Sequence, residues 1–326
     1  MIELKKVFII IILICAAATA LFIWYMSSGI DRNAIYYKTL VTYENVVYKT
    51  VEDTELTLDI LMPARFEHDD IPVVFYVHGG TFSGGDKIDL TDGVRRYVAE
   101  EILDEGYAII SINYRYLDED SHFPDNIIDV KDAIRYITSV AEEYNFDIDN
   151  YGLWGSGSGS YLALTAAYTP SGLFYGDFNL REFSCDVNYV IDMSGVTNIA
   201  TVRDTTVMNT EQVAEAQAEL DILYGLGIDI YHLEDYLDEM NQYDPISFIS
   251  DDTVPTYIIH GLNDQKVNID QSDTLEENLL GNPVPLTYTY YKVLGGDNDL
   301  DGLAVSEREN IVSQIVYFIK TYYKEQ

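Results

Sequence analysis

The chain alternates short apolar runs with longer stretches of helical periodicity. Val73-Val74-Phe75-Tyr76-Val77, residues 108–112, 187–193 and 254–259 are apolar runs of strand length. Continuous runs of this kind suit strands buried on both faces. Residues 45–51 and 55–62 instead alternate apolar and polar positions, split by the turn-like Glu52-Asp53-Thr54, and predict an antiparallel pair. Tyr151-Gly152-Leu153-Trp154 predicts a short strand with a helix over residues 161–168 after it, and residues 286–294 a last strand. Helical spacing covers residues 93–105, 124–144 and 305–322. In the second of these, Ile127, Val130, Ile134, Ile137 and Val140 share a face, with Pro124 near the start, where a missing N–H does no harm. Strands alternating with helices predict an α/β fold: a mostly parallel twisted sheet with helices on both faces.

Two segments break the alternation. Residues 197–250 hold helical runs at 211–224 and 233–241 and no clear strand. An insertion at the carboxyl edge of such a sheet lies over the ligand crevice, so a helical cap is expected there. Residues 7–26 carry no charge over twenty positions and follow Lys5 and Lys6. That length spans a bilayer, and the lysines place the N-terminus in the cytoplasm. The expected organisation is a cytoplasmic tip and transmembrane anchor over 1–30, a juxtamembrane connector over 31–44, and an extracytoplasmic α/β domain over 45–326. Ala18-Thr19-Ala20 offers the alternative of a cleaved signal and secretion. Against cleavage, the apolar run continues through Met26, with Trp24 and Tyr25 suited to an interfacial belt.

Charge then narrows the partners. The 326 residues include 19 Lys+Arg and 55 Asp+Glu, a formal net charge of −36. From residue 31 onward 17 basic residues face 54 acidic ones. So acidic a surface leaves no basis for phosphate binding and excludes nucleic acid as a partner. Hydrophobic residues at 48% point to a packed core rather than disorder. Two cysteines make no disulfide framework: Cys15 lies in the apolar segment and Cys185 reads as a small buried hydrophobe.

Four motifs follow strand-like runs in a fixed order. They are His78-Gly79-Gly80-Thr81-Phe82-Ser83-Gly84-Gly85, Ile112-Asn113-Tyr114-Arg115-Tyr116, Gly155-Ser156-Gly157-Ser158-Gly159, and His260-Gly261-Leu262-Asn263-Asp264. Each is weak alone; their order at strand ends is specific. In that order they resemble the α/β-hydrolase superfamily, in its acetyl-esterase and hormone-sensitive-lipase-like carboxylesterase branch, over most of residues 45–323. The resemblance implies an oxyanion hole from the N–H groups of Gly80, Thr81 and Ser158, and Asp264 as the triad acid. It implies a small-molecule or carbohydrate ester as ligand.

Two triad positions depart from the family pattern. Gly155 and Gly159 fit the outer glycines of G-x-S-x-G, which puts Gly157 where the nucleophilic serine belongs. The family's G-x-x-H after the last strand falls on Gly295-Gly296-Asp297-Asn298, so Asn298 stands in the histidine position. The five histidines lie at 68, 78, 122, 232 and 260, all before Asp264. Glycine cannot form an acyl-enzyme, and an amide cannot act as general base near neutral pH. The expectation is an impaired, ligand-binding pseudo-esterase. The alternative is an active hydrolase that uses Ser156 or Ser158 as nucleophile, with His122 or His232 as base. Separately, Asp297-x-Asp299-x-Asp301-Gly302 matches the first half of a calcium loop, D-x-[DN]-x-[DN]-G, though Arg308 occupies the twelfth position where a glutamate is required.

Overall fold

The computed structural model describes residues 32–65, 69–201 and 241–325. It divides into two units, residues 1–39 and 40–326. The expected connector contains a nine-residue helix, α1 (Arg32–Leu40), whose residues up to Thr39 belong to the first unit. The apolar segment 7–26 lies outside the described residues. Among the described residues no helix is long and apolar enough to cross a membrane.

The second unit is built on an eight-stranded sheet. Its strands are β1 (Tyr43–Val51), β2 (Thr54–Leu61), β3 (Ile71–Val77), β4 (Ala108–Ile112), β5 (Phe146–Ser156), β6 (Tyr189–Met193), β7 (Thr256–Gly261) and β8 (Tyr288–Val293). The spatial order is β1-β2-β4-β3-β5-β6-β7-β8. β1 pairs antiparallel with β2, and β2 with β4; every other pairing is parallel. β3, β4, β6 and β7 are buried along their whole length, which is why they read as largely apolar runs, with Ser111, Asp192, Thr256 and His260 the buried polar residues among them. β1, at one edge, is largely exposed, and two register shifts interrupt its ladder. Irregular pairing of this kind blunts an edge against pairing with another chain.

Helices cover the sheet: α2 (Arg95–Asp104), α3 (Asp125–Ser139), α4 (Ala141–Tyr144), α5 (Ser158–Tyr168), α6 (Asp270–Gly281) and α7 (Val305–Thr321). Val73, Phe75 and Val77 of β3 join one apolar core with Ile127, Val130 and Ile134 of α3 and Leu162 of α5. Val74 and Tyr76 alternate with them and face the other layer. α2 packs against α7, and α3 against α5.

Three elements differ from the sequence reading, the first being α6 (Asp270–Gly281), which the apolar pattern did not predict. The helix expected over 124–144 is interrupted at Val140, which has φ −113° and ψ 14°. Just before it, Thr138 Oγ1 donates to Ile134 O and Ser139 Oγ to Tyr136 O. Such back-bonding competes with the helical ladder. β5 begins at Phe146, five residues before the expected strand. Asp147 and Asn150 obscure it in sequence, yet both are buried and bonded to each other. The expected cap helices, 211–224 and 233–241, lie outside the described residues except for Asn241.

Both stems of that insertion are held. Asp244 Oδ1 accepts from Ile199 N at 3.2 Å, and Gln271 Oε1 accepts from Thr197 N and Asn198 N, each at 2.9 Å. Burial pushes the Asp244 carboxyl up to about 7, against the pull of the Ile199 N–H and the Tyr161 hydroxyl. Burial likewise pushes Asp192 up to about 6. Each carboxyl therefore binds its proton more tightly folded than unfolded. The stability this contributes is full below the unfolded value of about 3.9 and is lost as pH rises through the folded values. Thermal melts across this range should show Asp244→Asn falling less steeply with pH than the wild type between about pH 4 and 7. Equal slopes would refute the shift.

Candidate active site

The site forms where β3, β5, β7 and β8 end. Strand β5 runs into α5 through Gly157, whose φ is +56° and ψ −123°. This is a left-handed conformation that side chains enter at a cost of about 1–3 kcal/mol, and glycine freely. A Cβ built on Gly157 would meet only Gly79 Cα, at 3.9 Å. The position is therefore open toward the crevice although its backbone is constrained. Gly159, two residues on, has the opposite character: a Cβ there would lie 2.2 Å from the carbonyl oxygens of Val77 and His78. It lets α5 pack directly on the end of β3.

The turn after β3 brings Gly80 and Thr81 beside this point. His78 anchors the turn, with its ring stacked on Tyr114 at 4.4 Å and Nδ1 2.7 Å from Gly79 O. Burial pushes its imidazole down to about 4, so it stays neutral. The Tyr116 hydroxyl donates to Gly85 O and the Tyr114 hydroxyl to His78 O. The N–H groups of Gly80, Thr81 and Ser158 meet no acceptor among the described residues. The three predicted oxyanion donors thus line one crevice of about 620 Å³, together with Gly157, Ser156 and Asn298.

Asp264 follows β7. Its Oδ1 accepts from Lys266 N and Val267 N, and its Oδ2 from Asn298 Nδ2 at 2.9 Å. Burial opposes its charge. The hydrogen bonds from His260, Val267, Asn298 and Lys266 outweigh that and hold the carboxyl below the usual range. Asn298, where the sequence pattern expected a histidine, is thus the crevice residue bonded to Asp264.

The histidines lie elsewhere. His260 approaches Asp264 at 3.2 Å, but it is fully buried against Ser272 Oγ and Val267 O and does not line the crevice. His122 does not line it either, and His68 and His232 lie outside the described residues. Ser156 Oγ accepts from Arg95 Nη1 and Ser158 Oγ from Phe82 N, both at 3.2 Å. Neither serine has an imidazole partner among the described residues.

The calcium expectation is corrected. Asp299 is bonded to Arg95 Nη1 at 2.9 Å and Lys266 Nζ at 3.2 Å, and Asp297 Oδ1 accepts from Asp301 N. Burial opposes the Asp299 charge, but the two cations hold its carboxyl below the usual range. Among the described residues no group of three His, Cys, Asp or Glu could hold a metal ion. The acidic spacing serves turn capping and charge pairing instead of converging on a centre.

Sequence reasoning missed Arg95. It is 4% exposed, lines the crevice, and ties Asp89 O, Ser156 Oγ and Asp299 together. Its partner Asp299 lies 204 positions away, and the helix carrying it reads as an ordinary amphipathic one. Lys266, two residues after Asp264, gave the only local signal.

Comparison with known proteins agrees with this architecture. "Probable carboxylic ester hydrolase LipM" of Mycobacterium tuberculosis is 27% identical over 204 residues, covering 62% of this chain and 43% of that protein. The chain thus spans under half the length of that relative. A truncated carbohydrate esterase from gut microbiota superposes with a TM-score of 0.67 at 21% identity, covering 86% of this chain and 98% of that one. The butyrate-bound esterase Est2 of Thermogutta terrifontis superposes with a TM-score of 0.65 at 18% identity, covering 87% and 96%. The BD-FAE family model matches residues 58–279. With two-thirds of its length inside that match, the chain belongs to the BD-FAE family of carboxylesterase-like α/β-hydrolases.

Proposed function

We propose that this protein is a membrane-anchored, extracytoplasmic member of the family that binds an acyl-bearing small molecule or carbohydrate in its crevice and turns over esters poorly. One observation carries the reading. At the strand-to-helix turn the residue is Gly157, and the group bonded to the triad acid is Asn298. The oxyanion donors and the acid remain, while the nucleophile and the base are replaced. Such a frame retains binding and about 10³–10⁴-fold of catalysis over water, far short of a full triad.

The test is hydrolysis of short-chain p-nitrophenyl esters by the wild-type chain. A kcat/KM below about 10² M⁻¹s⁻¹ is expected, against 10⁴ or more for ordinary enzymes. A fluorophosphonate probe should label neither Ser156 nor Ser158. Turnover at ordinary esterase rates, or labelling of either serine, would favour the active alternative.

The anchor rests on the uncharged run 7–26 behind Lys5 and Lys6. After an alkaline carbonate wash the full-length chain should stay with the membrane pellet, and a chain lacking residues 1–30 should not. Release of both would refute anchoring.

A further inference from the structure

Building on that binding reading, we infer that the crevice is selective for a secondary carboxamide, an N-acyl group, over the ester that its fold relatives take. The inference comes from the sign of each hydrogen-bonding group around Gly157. On one side, Gly80, Thr81 and Ser158 present N–H groups without an acceptor among the described residues. They call for a carbonyl oxygen. On the other side stands Asn298. Because Asp264 is ionised, it only accepts, so Asn298 must turn its Nδ2 toward it, as the 2.9 Å contact records. That fixes the amide flip and leaves Asn298 Oδ1 as an acceptor, itself without a donor among the described residues. A catalytic histidine in the same place would carry a base; Asn298 offers a neutral carbonyl.

The two sets are spatially opposed. Gly80 and Thr81 follow β3, on one side of β5, whereas Asn298 follows β8, beyond β6 and β7 on the other. All of them line the same crevice. Gly157 between them contributes no side chain, and its Cβ direction is open. A trans amide is planar, with its C=O and N–H pointing in opposite directions. It can give its oxygen to the three N–H groups and its hydrogen to Asn298 Oδ1.

Other acyl ligands fail at one atom. An ester places an alkoxy oxygen, with no hydrogen, against the Asn298 carbonyl. A carboxylate places a charged oxygen there. It would also meet Asp89, Asp92 and Asp299 in the same crevice, with Arg95 and Lys266 already paired to Asp299. Asn298 is half-buried, and a ligand that covers its Oδ1 without giving it a donor strands an acceptor, so one N–H discriminates.

The experiment titrates the full-length chain with N-benzylacetamide, benzyl acetate and N-benzyl-N-methylacetamide, with Kd read by ligand-observed NMR. The secondary amide should bind about tenfold tighter than the ester. Methylating the amide nitrogen should abolish the advantage, and Asn298→Ala, verified as folded by its melt, should bind all three alike. Equal binding of all three by the wild type would overturn amide selectivity and leave the crevice as an acyl-binding site. Persistence of the preference in Asn298→Ala would also overturn it. Binding of none would overturn both the selectivity and the binding reading.

Discussion

The double substitution Gly157→Ser/Asn298→His should hydrolyse p-nitrophenyl acetate about 10²–10⁴-fold faster than the wild type, the range a positioned general base supplies. The frame for it already exists. Gly157 holds a backbone geometry of φ +56° and ψ −123°, and an added Cβ clears its surroundings. Gly80, Thr81 and Ser158, whose N–H groups meet no acceptor among the described residues, line the same crevice. Asp264 is held ionised and already bonds the residue at 298, so an introduced imidazole would find its orienting partner in place. Either single substitution should stay near the wild-type rate, because nucleophile and base act as a unit. The serine will also cost about 1–3 kcal/mol of stability through its positive φ. Steady-state kinetics of the four proteins checks this. A double mutant no faster than the wild type would mean that the crevice no longer presents an acyl carbonyl to residue 157.

Asp132→Ala should destabilise the fold by about 3–5 kcal/mol, the cost of stranding buried charge. Asp132 and Arg135 on α3 are both fully buried and bonded at 2.8 Å. Asp132 also accepts from Lys49 Nζ at 2.8 Å and Asp177 N at 2.9 Å. Lys49 keeps Asp129 when Asp132 is lost, but Arg135 is left without a carboxylate, facing only the carbonyl oxygens of Ser171 and Phe174 and the Tyr175 ring. Urea denaturation of the single mutant and of Asp132→Ala/Arg135→Met checks the cause. The double mutant should recover part of the loss, since apolar replacement of both partners removes the stranded charge. A double mutant less stable than Asp132→Ala would point to lost packing instead.

Much of the site was legible because its parts sit at strand ends, where short motifs record them. His78-Gly79-Gly80, Gly155 to Gly159 and Asp264 each follow an apolar run; Gly79, Gly80, Ser156, Gly157 and Ser158 line one crevice, and Asp264 reaches it through its bond to Asn298. The calcium-like spacing misled because spacing along a chain does not say what faces each carboxylate. Asp299 found Arg95 and Lys266, and Asp297 found its own loop. The break at Val140 escaped because the apolar period continues across it, while the competing hydroxyl bonds of Thr138 and Ser139 leave no mark on that period.

The sequence alone determined which side chains stand at the two positions that matter most here. A residue with no side chain at 157 and an amide at 298 are covalent facts, and no folding supplies a hydroxyl or an imidazole from them. It also made the parallel sheet legible, because strands covered on both faces are apolar along most of their length. Only the tertiary structure decided which groups meet. Arg95 lies against Asp299, Lys49 against Asp129 and Asp132, and Asn298 turns its NH₂ toward Asp264. These pairings depend on distance in space and on the exclusion of water around buried charge, and neither is written in the order of residues along the chain.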